Sequence, residues 1–211
     1  MKKLLIVVLA LCTGASIVNA QDAASQKIRF GIKAGGNLTT LGKLNFLGED
    51  YDYKYKPGLT AGVFAEIPLG NQFSFIPEIN YSEKGGKINE TVEDVKVEFD
   101  QRASYIDVPV TFAYSVSPGF KIFAGPQVSF FLSQTSKIYF NDEQQGEDNT
   151  DDSEIAKTLA GGLIGLGYDI TNNLNINARY MRDFQKASSS DSDATDKAIN
   201  SGFSLSLGYK F

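Results

Sequence analysis

The sequence predicts an all-β protein, an eight-stranded antiparallel up-and-down transmembrane β-barrel with short periplasmic turns and long extracellular loops. Three observations carry this expectation. In the stretch Ser201 to Phe211, Phe203, Leu205, Leu207, Tyr209 and Phe211 alternate with Gly202, Ser204, Ser206, Gly208 and Lys210, so one strand face is apolar and the other small or charged. The same period of two recurs in most of eight strand-like segments. The connections between those segments alternate between short and long, the layout of an outer-membrane barrel.

The elements follow in chain order. Met1-Lys2-Lys3, the apolar run Leu4 to Leu11 and the small-residue exit at Val18-Asn19-Ala20 describe a secretory signal peptide over 1–20, cleaved after Ala20. Its apolar run is far short of the ~20 residues that cross a bilayer as a helix. Residues 21–211 then form one barrel domain. Cys12, the sole cysteine, lies in the leader, so the mature chain has no disulfide. A lipoprotein reading of Leu11-Cys12 is disfavoured by the bulk of Leu11.

The strand segments are 28–36, 57–67, 72–83, 102–115, 119–132, 157–169, 174–185 and 201–211. In the first, Ile28, Phe30, Ile32 and Ala34 oppose Arg29, Gly31, Lys33 and Gly35. In the second, Leu59, Ala61, Val63, Ala65 and Ile67 oppose Thr60, Gly62, Phe64 and Glu66. In the fifth, Phe120, Ile122, Ala124, Val128, Phe130 and Leu132 share a face with Pro126. The sixth, Ala160 to Tyr168, is too rich in glycine to assign a face. In the seventh, Leu174, Ile176, Ala178 and Tyr180 oppose Asn175, Asn177, Arg179 and Met181. Pro68 to Asn71, Ser115 to Pro118 and Asp169 to Asn173 are turn-forming links. The regions 37–56, 84–101, 133–156 and 186–200 read as long polar loops. Pro77, Pro109 and Pro126 fall inside strands and forfeit ladder hydrogen bonds, so local bulges or breaks are expected there. Helix competes poorly against so many glycine, β-branched and aromatic residues.

A soluble, lipocalin-like barrel would use the same alternation with its apolar face inward. The membrane orientation is preferred because the polar face is rich in glycine and serine. Aromatics also gather near strand ends as an interfacial girdle does: Phe30, Phe73, Phe75, Phe120, Tyr168, Tyr209 and Phe211 at one rim, Tyr81 and Phe130 at the other. The lumen then receives Arg29, Lys33, Lys121, Arg179 and Lys210 with Glu66, Glu78, Asp107 and Asp183. Eight strands enclose only the space that side chains fill. An ion-paired plug is therefore expected, stabilising the barrel or, on a sharper reading, gating protons or solutes.

Several elements resemble one family. Gly31-Ile-Lys-Ala-Gly-Gly-Asn-Leu38, Phe75-Ile-Pro-Glu-Ile-Asn-Tyr-Ser-Glu-Lys-Gly85, Tyr105-Ile-Asp-Val-Pro-Val110, Phe123-Ala-Gly-Pro126 and the strand 202–211 follow in the order and spacing of the PorT-like outer-membrane β-barrel family, often labelled "porin family". The resemblance spans nearly all of the mature chain. It implies an eight-stranded outer-membrane barrel that tolerates proline at Pro77-Glu78 and Asp107-Val-Pro109. The family's named member is linked to protein secretion and gliding machinery in Gram-negative bacteria, a role that no residue here identifies. On neighbouring strands, Glu78 and Asp107 should both face inward and pair with Arg29, Lys33 or Arg179.

Composition narrows the function. The chain has no histidine, which removes Ser-His and Asp-His hydrolytic chemistry and the commonest metal ligand. A catalytic carboxylate pair of Glu78 and Asp107 is weighed against a lumenal salt bridge, and the salt bridge is preferred. The glycines of 161–167 lack the helix that a phosphate-cradling loop needs. No cofactor or metal is expected. Formal charge is −5, and −7 once Lys2 and Lys3 leave with the leader, which argues against a nucleic-acid partner. Acidic stretches at 141–154 and 188–197 lack EF-hand spacing and read as solvated loops. The sequence thus points to a non-enzymatic barrel of a Gram-negative outer membrane, with a structural, binding or accessory role. Its partners are outer-membrane lipid, the barrel assembly machinery during insertion and possible envelope proteins. The alternatives are a barrel that binds or passes a small molecule and an accessory subunit of a secretion or gliding complex.

Overall fold

The computed structural model describes residues 27–46, 49–70, 72–92, 95–141, 143–150, 157–185 and 198–211. The proposed leader and the acidic segments 151–156 and 186–197 lie outside them. Among the described residues ten strands form, all paired antiparallel. They are β1 (Arg29–Phe46), β2 (Glu49–Asp52), β3 (Lys54–Gly70), β4 (Phe73–Val92), β5 (Val95–Ser117), β6 (Phe120–Phe140), β7 (Glu143–Thr150), β8 (Thr158–Asp169), β9 (Leu174–Asp183) and β10 (Ala198–Lys210). Eight of them follow one another around a ring, β1-β3-β4-β5-β6-β8-β9-β10, and β10 pairs with β1 to close it. The remaining two are flaps, β2 on β1 and β7 on β6.

Chain alternation sets the two faces. Phe30, Ile32, Leu59, Val63, Phe112, Ile164, Leu205 and Leu207 are exposed on the outer wall, whereas Lys33, Glu78, Arg179 and Lys210 are buried inside it. The sixth segment, ambiguous in sequence, resolves the same way. Leu159, Gly161, Leu163, Gly165 and Gly167 of β8 are buried, and Ile164, Leu166 and Tyr168 are exposed. The lipocalin-like orientation is therefore not the one adopted. An aromatic explains why β8 needs its glycines. A Cβ on Gly165 would stand 2.5 Å from the ring of Phe123, its partner on β6, and 2.6 Å from the Ala178 carbonyl oxygen.

The turns at one rim are short, as expected. Gly70 and Gln72 adopt φ of 90° and 74° between β3 and β4, and Gly119 adopts 79° between β5 and β6, the left-handed conformations that such links require. The other rim differs from the expectation of long loops. Residues 84–92 and 95–101 continue β4 and β5 as one hairpin that pairs up to Val92 and Val95. Strands also occupy 37–46 and 49–52, and 134–140 pairs with 143–150. The acidic stretch read as a solvated loop is thus a strand over 143–150. It finds a partner because β6, at 21 residues, runs far beyond the end of β8 and leaves its ladder groups unpaired there. Polar composition hid these extensions, since a hairpin above the hydrocarbon needs no apolar face.

Around Pro77 and Pro109 the ladders lapse, but the register resumes unchanged, from Phe64↔Glu78 to Ile67↔Phe75 and from Pro109↔Gln127 to Phe112↔Ala124. At Pro126 the ladder lapses towards β5, as expected, and continues without interruption towards β8. The expected bulges lie elsewhere, at Tyr55/Thr60, Ser104/Tyr105 and Ile138/Tyr139. A missing N–H removes one bond but not the side-chain alternation that fixes register.

Gly165→Val should destabilise the barrel by about 1–3 kcal/mol, the usual cost of overpacking, and lower the temperature at which the folded band is lost in a heat-modifiable gel shift. Gly36→Ala, whose Cβ would meet nothing nearer than 3.7 Å, should leave that temperature unchanged. Equal behaviour of the two variants would show that the Phe123 contact is not limiting.

Candidate functional site in the barrel lumen

All nine charged residues expected inside the barrel do lie on its inner side, with Arg29 at the rim. They group into three levels. At the short-turn rim, Glu66 near the end of β3 meets three cations: Arg29 at 3.5 Å, Lys210 at 3.0 Å, and Lys121. Asp169, closing β8, takes Lys210 at 2.6 Å and Lys121 at 3.2 Å. Arg29 also donates to the Asn172 carbonyl at 2.8 Å. This level draws on both ends of the barrel domain, which become neighbours only because β10 closes against β1.

At the middle level, Glu78 of β4 is flanked by Lys33 of β1 and Arg179 of β9. The guanidinium forms a fork, Nη1 donating to Oε2 at 3.0 Å and Nη2 to Oε1 at 3.2 Å, the strongest ion-pair geometry available to arginine. Lys33 donates to the same carboxylate, and Asn80 adds a bond at 3.0 Å. Arg179 lies 5.5 Å from the centre of the Phe123 ring. An apolar cluster of Ala113, Phe123, Leu163 and Met181, joined by Ile76, packs beside it.

At the third level, Lys84 of β4 holds Asp107 of β5 at 3.2 Å and Asp183 of β9 at 3.7 Å. It also donates to Ser129 Oγ at 3.0 Å and sits 5.0 Å from the Tyr105 ring centre. Here the sequence reading needs correction. Glu78 pairs with Lys33 and Arg179 as expected, but Asp107 pairs with none of Arg29, Lys33 and Arg179. Its cation is Lys84, a residue assigned to a loop by its polar neighbours. Glu78, Asn80, Ser82 and Lys84 share one strand parity, so extending the alternation past 83 would have found it. Asp169 was missed in the same way, as the last inward position of a glycine-rich strand read as a turn. Above Lys84, Leu41, Tyr53, Ile88 and Phe99 form an apolar cap.

Six cations (Arg29, Lys33, Lys84, Lys121, Arg179, Lys210) thus face five carboxylates (Glu66, Glu78, Asp107, Asp169, Asp183). Between the lower two levels a cavity of about 40 Å³ is left, room for a few waters. Among the described residues no group of three or more His, Cys, Asp or Glu is placed to hold a metal. Glu78 and Asp107, considered as a carboxylate pair, are instead claimed by cations at different levels.

On the outer wall, Phe30, Phe73, Tyr168, Tyr209 and Phe211 are exposed at the short-turn rim, and Phe75 and Phe120 are partly covered. Phe73 and Tyr114 pack tilted with ring centres 5.0 Å apart, as do Phe75 and Phe112 at 5.3 Å, and Tyr209 meets Phe211 edge-on at 5.6 Å. From the row Phe73–Tyr114–Ile122 to the row Tyr81–Ile106–Phe130, β5 advances from 114 to 106. Nine residues match the 9–11 of a membrane-crossing strand.

Removing one side of a buried ion pair strands the other, at a cost of about 3–5 kcal/mol. Glu78→Gln leaves two buried cations without a carboxylate, whereas Asp107→Asn leaves Lys84 with Asp183. Thermal and urea denaturation followed by heat-modifiable migration should therefore rank Glu78→Gln well below Asp107→Asn, and both below wild type. An unchanged Glu78→Gln barrel would mean that the pairing contributes little.

The family profile described as "Outer membrane protein beta-barrel domain" matches residues 19–188. Among solved structures, the chain is similar to Neisserial surface protein A at 15% identity, over 88% of this chain and 100% of that one, with a TM-score of 0.50. It is also similar to the attachment invasion locus protein Ail of Yersinia pestis at 14% identity, over 88% and 100%, with a TM-score of 0.47. No curated protein matches the sequence.

Proposed function

The chain belongs to the outer membrane protein β-barrel domain family, and from that premise we propose that it is a non-enzymatic barrel with a side-chain-filled lumen, serving a structural, binding or accessory role at the envelope of a Gram-negative bacterium. The observation that carries this reading is the lumen itself. Three levels of ion pairs cross it, an apolar cluster of Leu41, Tyr53, Ile88 and Phe99 lies above them, and the space between the lower two levels is about 40 Å³, which supports a bore occupied by side chains. A barrel that passes a small molecule would want an open or apolar bore, whereas charged side chains line this one. Charges held this way serve stability, and opposite signs placed side by side offset their loss of water.

The aromatics Phe30, Phe73, Phe75, Phe120, Tyr168, Tyr209 and Phe211 act in this reading as an interfacial girdle at the periplasmic rim, and the extended hairpins stand outside the cell. The leader over 1–20 directs export, with cleavage near Ala20, and the barrel assembly machinery inserts the chain. The PorT-like motifs at Gly31–Leu38, Phe75–Gly85 and Tyr105–Val110 support placing the protein in that subtype. They provide the lumenal Lys33, Glu78 and Asp107. The chain has no histidine for acid–base work, and every lumenal carboxylate has a cation beside it, which supports the non-enzymatic assignment.

Purified protein in planar lipid bilayers should show no steady, large conductance at neutral pH. Stable channels with the step size of an open porin would overturn the filled-lumen reading. Their appearance only in Glu78→Gln would identify the middle level as the barrier.

A further inference from the structure

The charges of the lumen do not balance level by level. At the middle level one carboxylate answers two cations. Arg179 takes both oxygens of Glu78, and Lys33 and Asn80 add bonds to Oε2. A carboxylate offers about four lone-pair sites, so the bonding of Glu78 is full while one positive charge is left over. At the rim level Glu66 and Asp169 are matched by Lys121 and Lys210. The third cation there, Arg29, has a side chain 36% exposed and meets solvent. The surplus therefore rests on Lys33 and Arg179, whose side chains are only 3% and 6% exposed. An opposite surplus exists where Asp107 and Asp183 share Lys84. Lys84 follows Glu78 on β4 by roughly 20 Å of extended strand, too far to stand in for a contact ion.

A cavity of about 40 Å³ lies between the lower two levels. Four cations line it, Lys33, Lys121, Arg179 and Lys210, against the three carboxylates Glu66, Glu78 and Asp169. Donors are in surplus there as well. A lysine has three N–H groups and no acceptor, and Glu78 takes one from Lys33. The rest of the lining includes Phe64, Ile76 and Phe123, which neither accept a bond nor screen a charge. A buried positive charge without a full counter-charge is among the costliest arrangements in a protein interior.

We propose that this cavity binds one monovalent anion of halide size, of which chloride is the commonest, among Lys33, Arg179, Lys121 and Lys210. A space that holds a few waters admits a monatomic anion and has no room for sulfate, phosphate or a carboxylate with its substituent. A single negative charge cancels the surplus, whereas a double one would reverse it. A second cavity, of about 760 Å³ at the short-turn rim, shares Glu66, Lys121 and Asp169 with the inner one. The ion enters from that side, past the rim pairs. The proposal rests on the filled-lumen reading and adds one ion to the filling.

Crystals of the full chain grown in sodium bromide test this by anomalous scattering. Wild type should show a bromide peak in the cavity, in contact with Lys33 Nζ. Lys33→Gln removes the surplus charge but leaves Glu78 its Arg179 fork, and should lose the peak. Lys43→Gln, at the exposed Lys43–Asp52 pair, should keep it. In solution, the temperature at which wild type loses its folded band should rise and level off with added chloride, but not with sulfate at matched ionic strength. Lys33→Gln should flatten that response. A bromide-free cavity in an otherwise filled lumen overturns the site alone, as does a peak that survives Lys33→Gln, and the wild-type map decides even if the variant does not fold. A continuous column of water through the bore overturns the filled-lumen reading, and the site falls with it.

Discussion

The bore of an eight-stranded ring leaves little room to hydrate an ion, and most features of this molecule follow from that limit. Eight strands enclose a space that side chains alone fill. A charge placed there loses its water at a cost of several kcal/mol, which an opposite charge must offset in good geometry. Six inward cations therefore cannot be scattered. They are layered with five carboxylates, and each layer joins strands from separate parts of the ring: β1, β3, β6, β8 and β10 at the rim, β1, β4 and β9 in the middle, β4, β5 and β9 above. The small residues obey the same limit. Gly31 and Gly165 leave the gaps that Phe64 and Phe123 cover, so aromatic area occupies what the charges do not.

With polarity settled inside, the outer wall is free to be apolar over one crossing and charged above it. Strands of 20 and 23 residues, β4 and β5, exceed what a crossing needs. From Tyr81 to Val92 the β4–β5 hairpin carries roughly 35 Å of extended chain beyond the hydrocarbon. The wall thus continues upward as a ribbon bearing both signs of charge, closed within by Leu41, Tyr53, Ile88 and Phe99.

How legible was this in the sequence? The ring was, because period two needs only the order of residues, and one face of each crossing is held apolar by lipid. The same rule located nine lumenal charges and the Glu78–Lys33–Arg179 set. It faltered where that constraint ends. Lys84 and Asp107 form a pair, yet Lys84 lies beyond the apolar span of β4, where composition turns polar on both faces and strand resembles loop. The strand over 143–150 is opaque for the same reason, since only the unpaired end of β6 explains it. Register within the lumen was also beyond reach. That Asp107 meets Lys84 rather than Arg179 depends on stagger around the ring, a quantity no single segment encodes.

The rim level has one more consequence. Lys210 and Glu66 are 144 positions apart in the chain and 3.0 Å apart in space. Until β10 docks on β1, Glu66 and Asp169 lack a cation that the finished ring provides, and two strand edges stand open to the bilayer. Interior neutrality and edge closure are thus delivered by one event, the arrival of the hindmost ribbon. A chain halted before that moment is penalised twice by the surrounding fat, so the all-or-nothing character of the fold is written into its polar interior as much as into its backbone.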